Sequence, residues 1–261
     1  MSTLDDDFGH PLRLEHTPSR VVSLVPSLTE ALAATVPDRL VGATDWCTHP
    51  AELDVPRVRG TKNPDHERIR RLRPDLVVVN QEENRRIDVE RLRADGIPVW
   101  VTVVESIDQA LASMRRLFVD VLEVGEPRWL ADAVDEWDRP VELAPARVVV
   151  PIWRDPWMVV GSRTFTGDVV HRLGLVHLLA GAEDRYPKRD VADLVELDPD
   201  LILLPDEPYP FAPDDGPEAF PGRAVALVPG RDLTWYGPSM VTARSDLIGR
   251  ISSALASSRS D

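Results

Sequence analysis

The sequence is short of several residues, and each shortage removes a class of protein. One cysteine, Cys47, stands among 261 residues, so no intrachain disulfide and no cysteine-rich zinc site can form. Basic side chains number 30 against 44 acidic ones, a formal net charge of −14. That balance argues against nucleic acid, where Lys and Arg must neutralise phosphates, and against an anionic membrane surface. No apolar run approaches the ~18–20 residues that span a bilayer, so no membrane insertion is expected. The opening MSTLDDDFGHPLRLEH carries three consecutive aspartates, no apolar h-region and no cysteine for a lipid anchor. Taken as the natural start, it leads to the expectation of a cytoplasmic protein. No phosphate loop, GxSxG elbow or HExxH is present, so no enzyme motif is recognised and no catalytic residue is assigned.

What is present reads as a globular α/β protein. With 43% apolar and 28% charged residues the composition is that of a folded chain. RVVSLVP (20–26) reads as a buried strand ended by proline. Ser27 and Glu30 then suggest a capping box for a helix through about residue 34. A strand in DRLVGAT is followed by an irregular, Pro-rich stretch over 45–64. Helix 65–72, strand 76–79, helix 87–95 and a strand in IPVWVT complete a first array. Alternating helices and continuous apolar strands predict a parallel sheet. Ser106 opens a helix whose apolar residues follow helical spacing to Leu122, Gly125 ends it, and Pro127 opens another through Trp137. A second array follows: RVVVPIW (147–153), helices near 165–173 and 190–197, strands 201–204 and 224–228, and a helix from about 239 with a fraying tail.

Two phrases occur twice. LRPDLVVVNQEE (72–83) returns as LDPDLILLPDEP (197–208), and RVVSLVP returns as RVVVPIW. Arg20 precedes Pro74 by 54 positions and Arg147 precedes Pro199 by 52, which favours internal duplication over a chance helix-to-strand junction. The predicted organisation is an α/β lobe over 1–105, linking helices over 106–139 and a second α/β lobe over 140–261. In open parallel sheets ligands sit beyond the carboxyl ends of the strands. Glu82 and Glu83 follow the strand in one copy, Asp206 and Glu207 in the other. Glu83 and Glu207 are therefore candidate rim residues, as solvated acids, as ligand partners or as an acid/base pair.

The stretches RVVSLVPSLTEAL, LVGATDWCTHP, HERIRRLRPDLVVV, GIPVWV and LDPDLILLP, in this order, resemble the type III substrate-binding proteins of ABC importers for cobalamin and ferric siderophores, the helical-backbone metal receptors. The resemblance spans roughly 20–250. It implies two Rossmann-like lobes with parallel sheets, a helical backbone between them and a ligand in the interlobe cleft. It implies binding without turnover, no required cofactor, and a corrinoid or ferric chelate as ligand. A monomer working with an ABC permease is expected. Trp46 and His49 match aromatic cleft positions, and Tyr186 matches one on the opposite lobe. Thr61 stands where a tryptophan would be. Glu67 matches the carboxylate by which the first lobe docks on a permease; the second counterpart falls at Ala192, beside Asp193.

Other candidates come from the residues themselves. Trp153 and Trp157 flank Arg154 at a strand end. They read either as core or as a stacking wall whose arginine meets an anionic group. Trp235, next to Tyr236, is open to both readings. Cys47 and His49, two apart, could reach a metal or act as a nucleophile pair. Without further ligands nearby, a buried thiol and a hydrogen-bonded imidazole are the simpler readings, and no metal is assigned. An enzyme or sensor that has kept the two-lobe scaffold is the alternative function.

Overall fold

The computed structural model describes residues 3–258. The chain divides into two compact units. Unit 1 comprises Met1–Val104, Asp108–Ala133 and Tyr236–Pro238; unit 2 comprises Glu105–Ile107, Val134–Trp235 and Ser239–Asp261.

Unit 1 contains β1 (Thr3–Asp5), β2 (Pro11–Arg13), β3 (Val21–Ser23), α1 (Pro26–Thr35), β4 (Leu40–Ala43), β5 (Arg59–Gly60), β6 (Asn63–Pro64), α2 (His66–Leu72), β7 (Leu76–Asn80), α3 (Arg86–Ala94) and β8 (Val99–Thr102). α4 (Ile107–Arg115) follows and widens to π geometry over Arg116–Val121; α5 (Arg128–Trp137) comes next. The main sheet is parallel, ordered β4-β3-β7-β8. Its strands are buried along their length because helices cover them: Ile69 of α2 and Val89 and Leu92 of α3 pack on Val22, Val77, Val79 and Val101.

One feature departs from the sequence reading, and a second lies outside it. α1 begins at Pro26 with Val25 as its N-cap and no side-chain cap. Ser27 and Glu30 are buried within it, so the capping box does not form; proline at N1 already supplies helical φ and lacks the N–H that a cap would satisfy. Of the three consecutive aspartates, Asp5 is exposed while Asp6 and Asp7 are tied into the fold. β1 and β2 form a hairpin, and Asp6 Oδ1 accepts from Phe8 N (3.0 Å) and His10 N (2.9 Å) while Oδ2 accepts from Arg93 (2.7 Å). Asp7 accepts from Val103 N (3.1 Å), Ser113 Oγ (2.6 Å) and Arg116, whose guanidinium lies 4.9 Å over the buried Trp100 ring.

Unit 2 contains β9 (Arg147–Val149), β10 (Pro151–Trp153), β11 (Met158–Val159), α6 (Phe165–Arg172), β12 (Val176–His177), α7 (Val191–Glu196), β13 (Leu201–Pro205), β14 (Ala224–Val228), α8 (Gly230–Thr234) and α9 (Met240–Ser257). Its sheet is again parallel, ordered β12-β9-β13-β14. The stretch read as one strand over 147–153 is two: β9 belongs to the sheet, and beyond Val150 β10 turns into an antiparallel hairpin with β11. Ile107 N is held by Asp168 Oδ2 (2.8 Å). α9 remains helical to Ser257, so the expected fraying from about 252 is not seen; residues 259–261 lie outside the described residues.

The repeated phrases build the same device twice. Asp75 accepts from Ser19 N (2.9 Å) and Arg20 N (2.8 Å), and Asp200 accepts from Arg147 N (2.7 Å). The Arg20 side chain donates to Leu72 O, and that of Arg147 to Leu197 O. Arg73 and Asp198, each before its proline, take left-handed φ values of 47° and 53°. In each unit, therefore, a left-handed residue ends a helix and an aspartate stitches the next strand to its neighbour.

Candidate functional site

In unit 1 the parallel strands send their carboxyl ends to one side. The segment after β4 carries Trp46 and His49. It is folded around Arg57, whose guanidinium donates to Thr44 O (3.1 Å), Cys47 O (2.8 Å) and Leu53 O (3.0 Å). Trp46 is 65% exposed. Its indole Nε1 lies 3.3 Å from where a Cβ on Gly60 would sit, so the indole edge approaches bare backbone at the end of β5. His49 is exposed and pairs with Thr48 Oγ1 (3.2 Å). Thr61 is buried, and its carbonyl accepts from Asn84 (3.0 Å).

Cys47 is fully buried, with Thr29 and Thr44 hydroxyls 3.0 and 3.1 Å from its sulfur. Burial pushes the thiol up, and those hydrogen bonds only partly oppose it. An exposed imidazole and a buried sulfur do not converge, so Cys47 and His49 form neither a metal pair nor a nucleophile–base pair. The expected result is that Cys47 reacts with a thiol-exchange dye on the order of a hundredfold more slowly than free cysteine near neutral pH, and fully once unfolded. Fast native reaction would contradict the buried placement.

After β7, Glu82 and Glu83 are half-buried. Burial pushes the Glu83 carboxyl up; Lys62 opposes this and Glu82 adds to it. Tyr236 is buried nearby, its phenol pushed up by burial and by the Glu83 charge against hydrogen bonds with Ser27 and Thr102. This polar floor also includes Asn80, which donates to Thr102 O (3.2 Å) and Oγ1 (3.1 Å).

In unit 2 the hairpin β10–β11 presents Trp153, 42% exposed, against Tyr209 with ring centroids 5.7 Å apart. Trp157 stacks on Phe211 (5.7 Å, 14°) and meets Phe220 edge-on (5.4 Å), so it packs in the unit's core while Trp153 faces out. Arg154 is bound by Asp215 and Glu218 (2.7 Å to the latter) and lies 5.3 Å over Trp157. Its charge is thus already met by carboxylates of its own unit. Tyr209 donates to Asp215 Oδ2 (2.7 Å) and, with Arg154, holds that carboxyl below its usual range against a partial loss of water. Glu207 is half-buried after β13; Asp206 accepts from Gly230 N (2.7 Å). Tyr186 is half-buried on the segment that follows Arg185, whose carbonyl accepts from Gly161 N (2.8 Å). Trp235 is buried with the Arg231 guanidinium 5.9 Å over its ring, a core residue where a ligand-facing one was open.

In unit 1 Trp46 and His49 follow β4 and Glu83 follows β7; in unit 2 Trp153 and Arg154 lie on the β10–β11 hairpin, Glu207 follows β13, and Trp157 packs against the core. Asp215 and Glu218 escaped the sequence reading. The one signal was the acidic DDGPEAF (214–220) directly after EPYPFAP (207–213), which names no partner for Arg154. Glu67 and Asp193 lie in the first turns of α2 and α7; both are exposed, and Glu67 pairs with Arg71.

Residues 21–121 match the family model described as periplasmic binding protein. The chain is 24% identical over 199 residues to a vitamin B12-binding protein of Pectobacterium atrosepticum, covering 72% of this chain and 71% of the relative. Among solved structures, Helicobacter pylori CeuE, crystallised with nickel and histidine, superposes with a TM-score of 0.80 at 18% identity, covering 98% of this chain and 90% of that one. The periplasmic haem-binding protein BhuT with two haems gives 0.76 at 24% identity over 90% and 98%. The resemblance to type III substrate-binding proteins is borne out, and the fold is theirs. The relatives named are binding proteins.

Proposed function

We propose that this chain, with the fold of the type III substrate-binding proteins and a periplasmic binding protein match over residues 21–121, binds a flat metal chelate of the corrinoid class without turnover. The observation that carries the reading is a pair of exposed tryptophans, Trp46 in one unit and Trp153 in the other, each just beyond the carboxyl end of a parallel sheet. Large exposed aromatics at such positions are surfaces for a ligand's face.

Charge narrows the ligand class. The strand ends carry Glu82 and Glu83 in unit 1 and Asp206 and Glu207 in unit 2, and the Arg154 charge is met by Asp215 and Glu218. A ferric catecholate or the propionates of haem would be repelled by these carboxylates, whereas a neutral or cationic corrinoid would not. Glu67 and Asp193, both exposed, are the carboxylates through which an ABC permease would dock.

Tryptophan fluorescence on titration with hydroxocobalamin, corrected against free tryptophan, tests this. Saturable one-to-one quenching is expected, with Trp46→Ala and Trp153→Ala each weakening it about thirtyfold, the size of a ~2 kcal/mol anchor. No quenching beyond the control would overturn the corrinoid reading. Saturable quenching by haemin or a ferric catecholate instead would reassign the ligand.

A further inference from the structure

Residues 57–93 hold eleven basic side chains against seven acidic ones, a surplus of four in a chain of net charge −14. Part of that surplus lines a cavity. α2 and α3 lie on the same side of the unit 1 sheet, with Ile69, Val89 and Leu92 in one apolar cluster. Between them, facing outward, is a hollow of about 250 Å³ lined by His66 and Arg70 of α2, Arg91 and Ala94 of α3, and Asp95. A water takes ~30 Å³ of the liquid, so the hollow has room for a small ion and its first waters.

The charges around it do not cancel. Asp88, 2% exposed, accepts from Arg85 Nε (2.7 Å) and Nη2 (3.2 Å) and lies 2.9 Å from His66 Nε2. With its oxygens so occupied, Arg91 stays 3.9 Å from Asp88 Oδ1, too far for a hydrogen bond. Arg70 gives one bond to Asp95 (2.7 Å), leaving most of its five donors unspent. Arg70, Arg85 and Arg91 against Asp88 and Asp95 leave one positive charge over. The Nδ1 atom of His66 is buried and has no hydrogen-bond partner among the described residues. A buried polar atom without a partner calls for one.

We propose that this hollow is a binding site for a tetrahedral oxyanion of the phosphate type, held by the guanidinium groups of Arg70 and Arg91 with His66 at its side. Guanidinium forks match phosphate oxygens in number and direction. The site involves none of the residues assigned to the metal chelate, so either proposal can fail without the other.

The test is calorimetric titration of the full chain with inorganic phosphate, with chloride at matched ionic strength as the blank. Saturable one-to-one binding is expected, weakened about tenfold or more in Arg91→Ala. Arg86→Ala removes the same charge from α3, but from a pair with Glu90, and should leave affinity within about twofold. Both arginines are exposed, and circular dichroism checks that each variant is folded. No saturable heat above the chloride blank, or equal losses in the two variants, would overturn the site.

Discussion

Asp6→Ala is expected to cost unit 1 about 3 kcal/mol. The carboxylate is fully buried and does two jobs at once. One oxygen closes the β1–β2 turn by accepting two backbone N–H groups, and the other pairs with Arg93, itself only 25% exposed. Truncation strands a largely buried guanidinium and two amides. Breaking a buried pair from one side costs ~3–5 kcal/mol, and the lower end applies because Arg93 retains some water and a long contact to Val99 O (3.5 Å). Asp6→Asn, which keeps an acceptor for the turn but not the charge, should lose about half as much. Chemical denaturation monitored by tryptophan fluorescence measures both. Equal stability of wild type and Asp6→Ala would show that the hairpin adds nothing to the unit.

Gly230→Ala is expected to destabilise unit 2 by about 2–3 kcal/mol and to weaken ligand binding. Gly230 opens α8 directly beneath the turn after β13, where its N–H holds Asp206. A Cβ there would lie well inside contact with the Glu207 side chain and only 2.9 and 3.0 Å from the Glu207 carbonyl oxygen and amide nitrogen. The side chain could swing away, but the backbone cannot move without pulling the end of β13. Overpacking of this kind costs ~1–3 kcal/mol, and here the strain falls on the residue whose N–H holds Asp206. If Glu207 serves the ligand as proposed, hydroxocobalamin affinity should fall along with thermal stability. Gly222→Ala, where a Cβ meets open space but φ is +74°, should cost only about 1 kcal/mol through backbone strain and leave binding unchanged. If Gly230→Ala were the milder of the two, close packing at the turn would not be what requires glycine.

Much of the architecture was legible because its causes are local. The continuous apolar strands, the helical spacing after Ser106 and the doubled L-x-PDL phrase each sit within a few neighbouring residues. The structure returns them as two parallel sheets and two copies of one helix-to-strand junction. The capping box failed because Pro26 and burial decided the start of α1, and burial is not written in a tetrapeptide. The hairpin β1–β2 was missed because its pattern is three residues a side, and its stability comes from partners far along the chain.

The candidate site divides the same way. Trp153, Glu83 and Glu207 could be placed at strand ends from order alone, since a parallel sheet sends every carboxyl end to one side, whereas Trp46 was pointed to only by the family resemblance. Trp157 and Trp235 could not be sorted from Trp153 by sequence, because rim and core aromatics look alike until their neighbours are known. The role of Arg154 turned on carboxylates 61 and 64 positions away. Sequence by itself determined the two α/β arrays, their duplication and the acidic, aromatic character of their strand ends, through short-range periodicity and chain order. Tertiary structure alone decided which aromatic faces water, which thiol is sealed and which cations are already neutralised, because burial and charge pairing depend on groups that meet only when distant segments fold together.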